Sequence, residues 1–214
     1  METRTEDRQR ARKILRLLEK SYPNADCTLD FKTPLELLVA TVLAAQCTDE
    51  RVNMVTPTLF RKYSTTKAFA EADLQALQDA IKSTGFFRQK AKSIKSACGT
   101  IVEQHGGKVP ADMKALTAMR GIGRKTANVV LAAAFGVPGL IVDTHAKRLT
   151  HRLGLSRQKT PDRIEMEMMD VVPKEDWTQW SHLLLAHGRA VCTAKKPNCA
   201  GCVTNRLCPS AFNV

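Results

Sequence analysis

The stretch that decides the fold runs from residue 112 to residue 136 and reads DMKALTAMRGIGRKTANVVLAAAFG. The pattern predicts a short helix over 112–119, a turn at 121–123 and a second helix over 124–135 that Gly136 ends. The second helix is apolar almost all round after its first turn, so we expect it at the centre of a domain. The segment is therefore predicted to be a helical hairpin.

The hairpin turn, Gly121-Ile122-Gly123, carries no side chain on two of its three residues, so its backbone can approach another molecule closely. The N–H groups and the dipole at the start of the next helix favour an anion such as a DNA phosphate. That contact would position the protein without reading sequence. Taken alone, the turn fits an ordinary helical hairpin better. Its basic neighbours favour DNA: Arg120, Arg124 and Lys125.

Lys125 is the unusual member of this segment, because amide dipoles in the first turn of a helix disfavour a cation. Arg124 beside it adds like-charge repulsion. Both effects favour the neutral amine that a lysine nucleophile needs to attack a sugar carbon. The alternative role for Lys125 is a simple phosphate contact.

Asp143 follows the apolar stretch 140–142 and precedes Thr144 and His145 at an apparent helix start. It is predicted to be the N-cap of that helix. A carboxylate held there also suits the stabilisation of positive charge on a sugar ring, so the two roles are compatible.

The rest of the chain is also predicted to be helical. Thr33-Pro34 and Thr160-Pro161 read as helix starts, the first opening an apolar run over 35–45. A helix is predicted over 88–104, with an apolar inner face and three lysines pointing outward: Lys90, Lys92 and Lys95. No long segment has the alternation of a strand. The predicted fold class is all-α.

The charge is concentrated in two places. The 214 residues include 33 Lys and Arg against 21 Asp and Glu, a net charge of +12. Residues 82–128 carry +8 and residues 187–208 carry +4. A polyanion touching both windows is the predicted partner, and a solvated basic face is the alternative. The sequence shows no signal peptide and no membrane span, so we expect a cytoplasmic protein.

Four of the seven cysteines lie close together near the end of the chain: Cys192, Cys199, Cys202 and Cys208. Such a group indicates zinc or an iron–sulfur cluster. Only the central pair is closely spaced, and the wider loops favour iron–sulfur. The metal would fix the basic loop that contains Lys195 and Lys196. The scattered cysteines are predicted to be buried core residues: Cys27, Cys47 and Cys98.

The combination resembles the endonuclease III family of base-excision DNA glycosylases. The motifs that carry the resemblance are GIGRKTAN at 121–128, VDTH at 142–145, HGR at 187–189 and the four-cysteine loop. The resemblance implies a helix-hairpin-helix DNA glycosylase with a DNA-binding cleft between two helical domains. Residues 27–136 would form a six-helix domain, and residues 1–26 with 137–214 a second domain that carries a [4Fe–4S] cluster. We expect a monomer that binds damaged double-stranded DNA.

The resemblance also implies residue roles. Lys125 would attack C1′ of the damaged nucleotide and form a Schiff base, Asp143 would assist, and β-elimination would cut the strand. Oxidised pyrimidines such as thymine glycol would be the substrates. Gln46, in AQCTD at 45–49, would fill the space of the extruded base, and Phe86 would be an apolar wedge. Further DNA contacts are expected at Gly121, Ile122, Gly123, Arg124, His145, Arg189, Lys195 and Lys196.

Two positions depart from the family pattern, since Arg120 replaces the usual proline before the turn and Ala44 replaces a common serine. Two other readings compete. A mismatch adenine glycosylase shares the fold and the cluster, but it lacks the hairpin lysine. An iron–sulfur DNA-binding regulator would have no use for Lys125 together with Asp143, and would normally read sequence with a recognition helix.

Overall fold

The computed structural model describes residues 4–213, which contain eleven α-helices and no strand. The predicted all-α class is confirmed. In chain order the helices are α1 Arg4–Ser21, α2 Pro34–Leu43, α3 Asp49–Lys62, α4 Thr66–Glu71, α5 Leu74–Ala80, α6 Phe87–His105, α7 Met113–Ala118, α8 Arg124–Phe135, α9 Thr144–Arg152, α10 Pro161–Val171 and α11 Trp177–Ala190. No helix among these residues is long and apolar enough to cross a membrane.

Short polar side chains fix where most of these helices begin. Each accepts a hydrogen bond from a first-turn amide, an interaction that contributes about 1 kcal/mol. The residues are Thr33, Thr48, Thr65, Asp73, Asp112 and Asp143, which cap α2, α3, α4, α5, α7 and α9. The predicted caps at Thr33 and Asp143 are confirmed. Helix α8 begins differently, because its N-cap is Gly123 and no side chain caps it.

The chain forms two compact units. The first, here called the hairpin unit, is Thr28–Val137 and contains α2 to α8. Within it, α4 and α5 pack along α6, while α8 contacts both α2 and α7. Ala127, Val130 and Leu131 of α8 are buried. Helix α8 therefore lies in the core of its unit and holds the hairpin turn at a fixed position.

The second unit, here called the cysteine unit, combines Met1–Cys27 with Pro138–Val214. Its core brings together apolar residues of α1, α9, α10 and α11, including Ile14, Leu149, Ile164 and Trp180. Full burial of each such side chain stabilises the fold by roughly 1.5–3 kcal/mol. The side chains of Cys192 and Cys208 pack against this core, so the cysteine loop is attached to a rigid base.

Two predictions about single side chains are wrong. Lys90 does not point outward: it is 4% exposed, because it shares a face of α6 with Ile94 and Ala97. Lys95 does not point outward either, since it is half-buried and its Nζ donates to the carbonyls of Ala70 and Ala72. Of the scattered cysteines, only Cys98 is buried as predicted, while Cys27 and Cys47 are half-buried. The side chain of Lys90 can lie inside because backbone carbonyls receive its ammonium, as described below.

Candidate functional site

The turn between α7 and α8 is locked against the core of the hairpin unit. Gly121 has a φ of +82°, and a Cβ at this position would lie 2.4 Å from Ser93 Oγ on α6. Only glycine fits such a position without displacement. Ile122 is 4% exposed, and its N–H donates to the Met119 carbonyl at 3.1 Å. The side chain of Ile122 is therefore buried in the hairpin unit and holds the turn against it.

The start of α8 is open. Gly123 has ordinary extended angles, φ −89° and ψ 173°, and a Cβ built on it would meet no atom within 4 Å. No side chain caps the helix, so the partial positive charge at its N-terminus is not offset by a cap. This is the geometry in which backbone amides bind a phosphate.

Lys125 is the second residue of α8, and its side chain is exposed. Arg120 is exposed on the other side of the turn, and Arg124 is half-buried. The turn thus presents an accessible primary amine beside an uncapped helix start. A sugar carbon next to a phosphate held at this turn would lie near a nucleophile.

Two further turns of the hairpin unit carry exposed side chains on a strained backbone. The glutamine turn, residues 44–47 between α2 and α3, contains Gln46 with a φ of 54°. The phenylalanine turn, residues 85–86 before α6, contains Phe86 with a φ of 47°. This left-handed conformation costs a non-glycine residue on the order of 1–2 kcal/mol. Such strain in exposed residues is a common mark of function.

Taken without the family resemblance, the sequence favours simpler roles for these residues, a helix C-cap for Gln46 and packing under a loop for Phe86, and the structure argues against both. Gln46 is not the C-cap of α2, because Ala44 occupies that position with helical angles. Phe86 is not packed under a loop, since 64% of it is exposed. A large apolar ring held in water has no stabilising role in the fold. Phe86 is therefore free to contact another molecule.

Asp143 begins α9 in the cysteine unit. It is half-buried, and its Oδ1 accepts a hydrogen bond from the Ala146 amide at 2.7 Å. A carboxylate has about four acceptor sites, so capping leaves it the capacity to interact with positive charge. The helix cap also fixes the direction in which the carboxylate points.

Helix α9 crosses α11 at a close contact that fixes His145. A Cβ on Gly188 would lie 2.7 Å from His145 Nδ1, so the glycine makes this approach possible. Arg148 Nη2 lies 3.1 Å from the same nitrogen and donates to the carbonyls of Gly188 and Cys192 at 3.0 and 2.9 Å. His145 is half-buried in this network. Arg189, Lys195 and Lys196 are exposed.

The four clustered cysteines line one pocket in the cysteine unit, together with His187. No disulfide joins any of the cysteines in residues 4–213. Arg152 Nη1 donates to Cys192 Sγ at 3.3 Å, and His187 Nε2 lies 3.3 Å from Cys202 Sγ. Burial raises the pKa of Cys208, and the neighbouring thiols raise it further.

These contacts bear on whether the pocket suits a metal group. In the part of the chain that the structure describes, no three His, Cys, Asp or Glu side chains are grouped so that they could hold one metal ion. The four clustered cysteines nevertheless line one pocket, and an arginine N–H donates to the sulfur of Cys192. Cysteine sulfurs that accept such hydrogen bonds are the ligands of iron–sulfur clusters, so the cysteines fit this group by residue type.

Comparison with known proteins identifies the family. Residues 39–174 match the HhH-GPD superfamily of base excision DNA repair proteins. Endonuclease III of Synechocystis sp. (strain ATCC 27184 / PCC 6803 / Kazusa) is 54% identical over 205 residues, covering 95% of this chain and 94% of the relative. The chain belongs to the endonuclease III family. Endonuclease III of Bacillus subtilis (strain 168) is 47% identical, with 87% of this chain and 86% of the relative covered.

The endonuclease III fold extends over the whole chain. A solved structure of a trapped endonuclease III–DNA covalent intermediate, an estranged-adenine complex, superimposes with a TM-score of 0.93 at 40% identity. The match covers 100% of this chain and 99% of the solved one. The protein is thus a base-excision DNA repair enzyme, a DNA glycosylase and AP lyase, as its sequence motifs predicted.

Two arginines that contact the cysteine loop were missed in the sequence. Arg148 and Arg152 on α9 hold the beginning of the cysteine loop, since Arg152 also donates to the Thr193 and Ala194 carbonyls. Their spacing of four residues places them on one face of α9, and this spacing could have indicated that both arginines contact the same segment. Lys90 was named in the sequence analysis but wrongly predicted to point outward, because a lysine on a helix is usually exposed.

Proposed function

We propose that this protein removes oxidised pyrimidines, such as thymine glycol, from double-stranded DNA and then cleaves the abasic site with Lys125 as the nucleophile. The observation that carries the proposal is the start of α8. There, an exposed lysine in the first helical turn follows a glycine turn that no side chain caps. The turn holds a phosphate through backbone amides, and Lys125 reaches the sugar beside it.

The chemistry begins with the side-chain amine of Lys125. Lys125 Nζ attacks C1′ and forms a C–N bond while the bond from C1′ to the base breaks, and the base leaves with a proton. The sugar ring then opens, which gives a Schiff base between Nζ and C1′. Loss of a proton from C2′ expels the 3′ phosphate by β-elimination, and water finally hydrolyses the Schiff base.

Asp143 is the proposed second catalytic residue. Positive charge develops on the sugar ring as the bond to the base breaks, and a fixed carboxylate stabilises it electrostatically. The hydrogen bond from the Ala146 amide keeps this carboxylate in place. Exchange of Asp143 for Asn would keep the cap and remove the charge, so its effect on rate separates the two roles.

Access to the base requires its extrusion from the stack, which takes a few kcal/mol and is easiest for lesions that stack poorly. Thymine glycol is such a lesion, because saturation of its C5–C6 bond has made its ring non-aromatic and non-planar. Gln46 and Phe86, both exposed and both in the left-handed conformation, are the proposed residues that fill the opened stack. The basic residues Arg124, His145, Arg189, Lys195 and Lys196 are the proposed contacts to the DNA backbone.

Cys192, Cys199, Cys202 and Cys208 are the proposed ligands of a [4Fe–4S] cluster. When bound, this group supplies a fixed anchor for the cysteine loop, and its ligands keep Lys195 and Lys196 on a defined surface. Metal analysis of the purified protein tests the assignment. Iron and acid-labile sulfide in equal amounts support it, whereas zinc without sulfide would replace it with a mononuclear site.

Borohydride trapping tests the nucleophile. A duplex with one thymine glycol is incubated with the protein, with Lys125→Gln and with Lys67→Gln as a matched control. Lys67 is an exposed lysine of α4 outside both basic windows. We expect a covalent protein–DNA adduct from the unaltered protein and from Lys67→Gln, but none from Lys125→Gln, while all three bind the duplex.

Other outcomes would favour one of the two alternative functions. No adduct on thymine glycol or on an abasic site, with tight binding to one particular sequence, would indicate a DNA-binding regulator. Release of adenine from mismatched duplexes without an adduct would indicate a mismatch adenine glycosylase. Two solved structures of endonuclease III support the enzyme over the DNA-binding regulator. One is a non-covalent complex with DNA, and the other is a trapped covalent intermediate with DNA.

A further inference from the structure

The side chain of Lys90 links two separate turns of the hairpin unit. Lys90 is the fourth residue of α6 and is 4% exposed. Its ammonium donates to the Leu43 carbonyl at 2.8 Å and to the Thr84 carbonyl at 2.7 Å. The two acceptors are 41 residues apart in the sequence, so this one ammonium joins two turns that are distant along the chain.

Both acceptors lie directly before the exposed residues described above. Leu43 is the last residue of α2 and precedes the glutamine turn. Thr84 ends the 3-10 helix Lys82–Thr84 and precedes the phenylalanine turn. The backbone N–H of Lys90 also donates to the Phe86 carbonyl at 3.1 Å. Lys90 therefore forms hydrogen bonds to the residue before the glutamine turn, to the residue before the phenylalanine turn and to Phe86 itself.

A buried cation is an unusual way to join two turns. Removing an ammonium from water is unfavourable, and burial accordingly lowers the pKa of Lys90. An apolar side chain of similar length would fill the same space without that penalty. What it could not do is satisfy two carbonyls, one of them at the C-terminus of a helix, and hold them at a fixed separation.

A second lysine of the same helix provides a comparison. Lys95 Nζ donates to the Ala70 and Ala72 carbonyls at 2.8 and 2.6 Å, which lie at the end of α4. The chemistry is the same as that of Lys90, but the turn that Lys95 holds carries no strained residue and no exposed aromatic ring. Two lysines of α6 thus bind backbone carbonyls, but only Lys90 joins two separate turns, and these turns contain both stack-filling candidates.

We propose that Lys90 is a positioning residue for base extrusion, which holds the glutamine turn and the phenylalanine turn at a fixed separation so that Gln46 and Phe86 enter the DNA stack together. The inference rests on the proposed function, since it assumes that these two residues fill the stack. It predicts that their contributions depend on each other through Lys90. Loss of the link would let each turn move separately, and a misplacement of about 1 Å can lower a rate by roughly a hundredfold.

The test compares Lys90→Met with Lys95→Met. Each variant removes from α6 an ammonium that binds two backbone carbonyls outside this helix. Single-turnover excision is measured on a thymine glycol duplex. Strand cleavage is measured on single-stranded DNA with an abasic site, where no stack has to be opened. We expect Lys90→Met to lower the duplex rate by about tenfold to a hundredfold and the single-strand rate by no more than about twofold, and Lys95→Met to leave both within about twofold.

The same substitution in a Gln46→Ala/Phe86→Ala background tests whether Lys90 acts through these residues. A positioning role predicts no further loss from Lys90→Met in that background. If the losses multiply, or if Lys90→Met and Lys95→Met reduce the duplex rate equally, Lys90 is only a structural residue. Circular dichroism and thermal melting identify any variant that fails to fold, and Lys90→Gln, which keeps two donors on a shorter chain, then takes the place of Lys90→Met.

A third measurement separates this proposal from the proposed function. The fluorescence of 2-aminopurine, placed opposite the lesion, rises when the stack opens and needs no bond cleavage. If the unaltered protein neither excises nor cleaves, the proposed function fails, and the fluorescence still reports on Lys90. A signal reduced in Lys90→Met but not in Lys95→Met at saturating protein supports the positioning role. Equal signals overturn it.

Discussion

The two glycines of the hairpin turn are predicted to respond differently to alanine, because one faces the protein and the other faces open space. At Gly121, an alanine must adopt the left-handed conformation, at about 1–2 kcal/mol. Its Cβ must also displace Ser93, whose Oγ and Cβ would lie 2.4 and 2.6 Å away. Overpacking of this kind costs about 1–3 kcal/mol. Gly121→Ala should therefore lower the free energy of unfolding by roughly 2–5 kcal/mol.

Gly123→Ala should leave stability almost unchanged. The position has φ −89° and ψ 173°, which any residue adopts, and no atom lies within 4 Å of the added Cβ. The change at an N-cap costs no more than about 1 kcal/mol. The methyl group would, however, stand where a phosphate approaches the start of α8. We expect DNA affinity to fall about tenfold, which corresponds to about 1.4 kcal/mol.

Urea unfolding followed by circular dichroism gives the stabilities, and fluorescence anisotropy with a duplex containing a non-cleavable abasic analogue gives the affinities. A Ser93→Gly change removes the clash at Gly121→Ala but not the left-handed strain. The double variant should accordingly be about 1–3 kcal/mol more stable than the sum of the single effects. Strict additivity would refute the clash. A stable Gly123→Ala protein with normal DNA affinity would refute the open phosphate site.

The remaining predictions concern the departure from the family pattern and two buried titratable groups. Arg120→Pro should change stability by less than about 1 kcal/mol, because Met119 already has the angles favoured before proline, φ −77° and ψ 140°. Removal of that charge should lower the salt dependence of DNA binding by about one unit of slope in a titration with KCl. Burial raises the pKa of Cys98 from an ordinary 9.0 to about 12. Its alkylation at about pH 8 should be roughly a thousandfold slower in the folded protein than in urea, as mass spectrometry can measure. Burial lowers the pKa of His182, with Asp26 acting in the opposite direction. The unfolded chain therefore takes up a proton before the folded one as the pH falls below about 6.5, and stability declines there. The loss in melting temperature between about pH 7.5 and pH 5.5 should be smaller in His182→Gln.

The sequence predicted features whose causes are local. The caps at Thr33 and Asp143 depend on a side chain and an amide three residues later, so spacing alone revealed them. The left-handed conformations of Gln46 and Phe86 have no such local cause, because neither residue type favours a positive φ. The burial of Lys90 depends on carbonyls 47 and 6 residues away. Its place on the face of Ile94 was visible in the sequence, but the partners of its ammonium were not.

The cysteine unit is built from both sides of a long insertion, and this arrangement sets the order in which the chain folds during synthesis. Ile14 and Leu18 of α1 pack into a core completed by Trp180 and Leu183 of α11. At ribosomal speeds, the interval between these segments is on the order of ten to thirty seconds. The hairpin unit, which is continuous, emerges complete within that time. We therefore expect the apolar face of α1 to stay exposed until α9, α10 and α11 have been synthesised and supply the rest of its core.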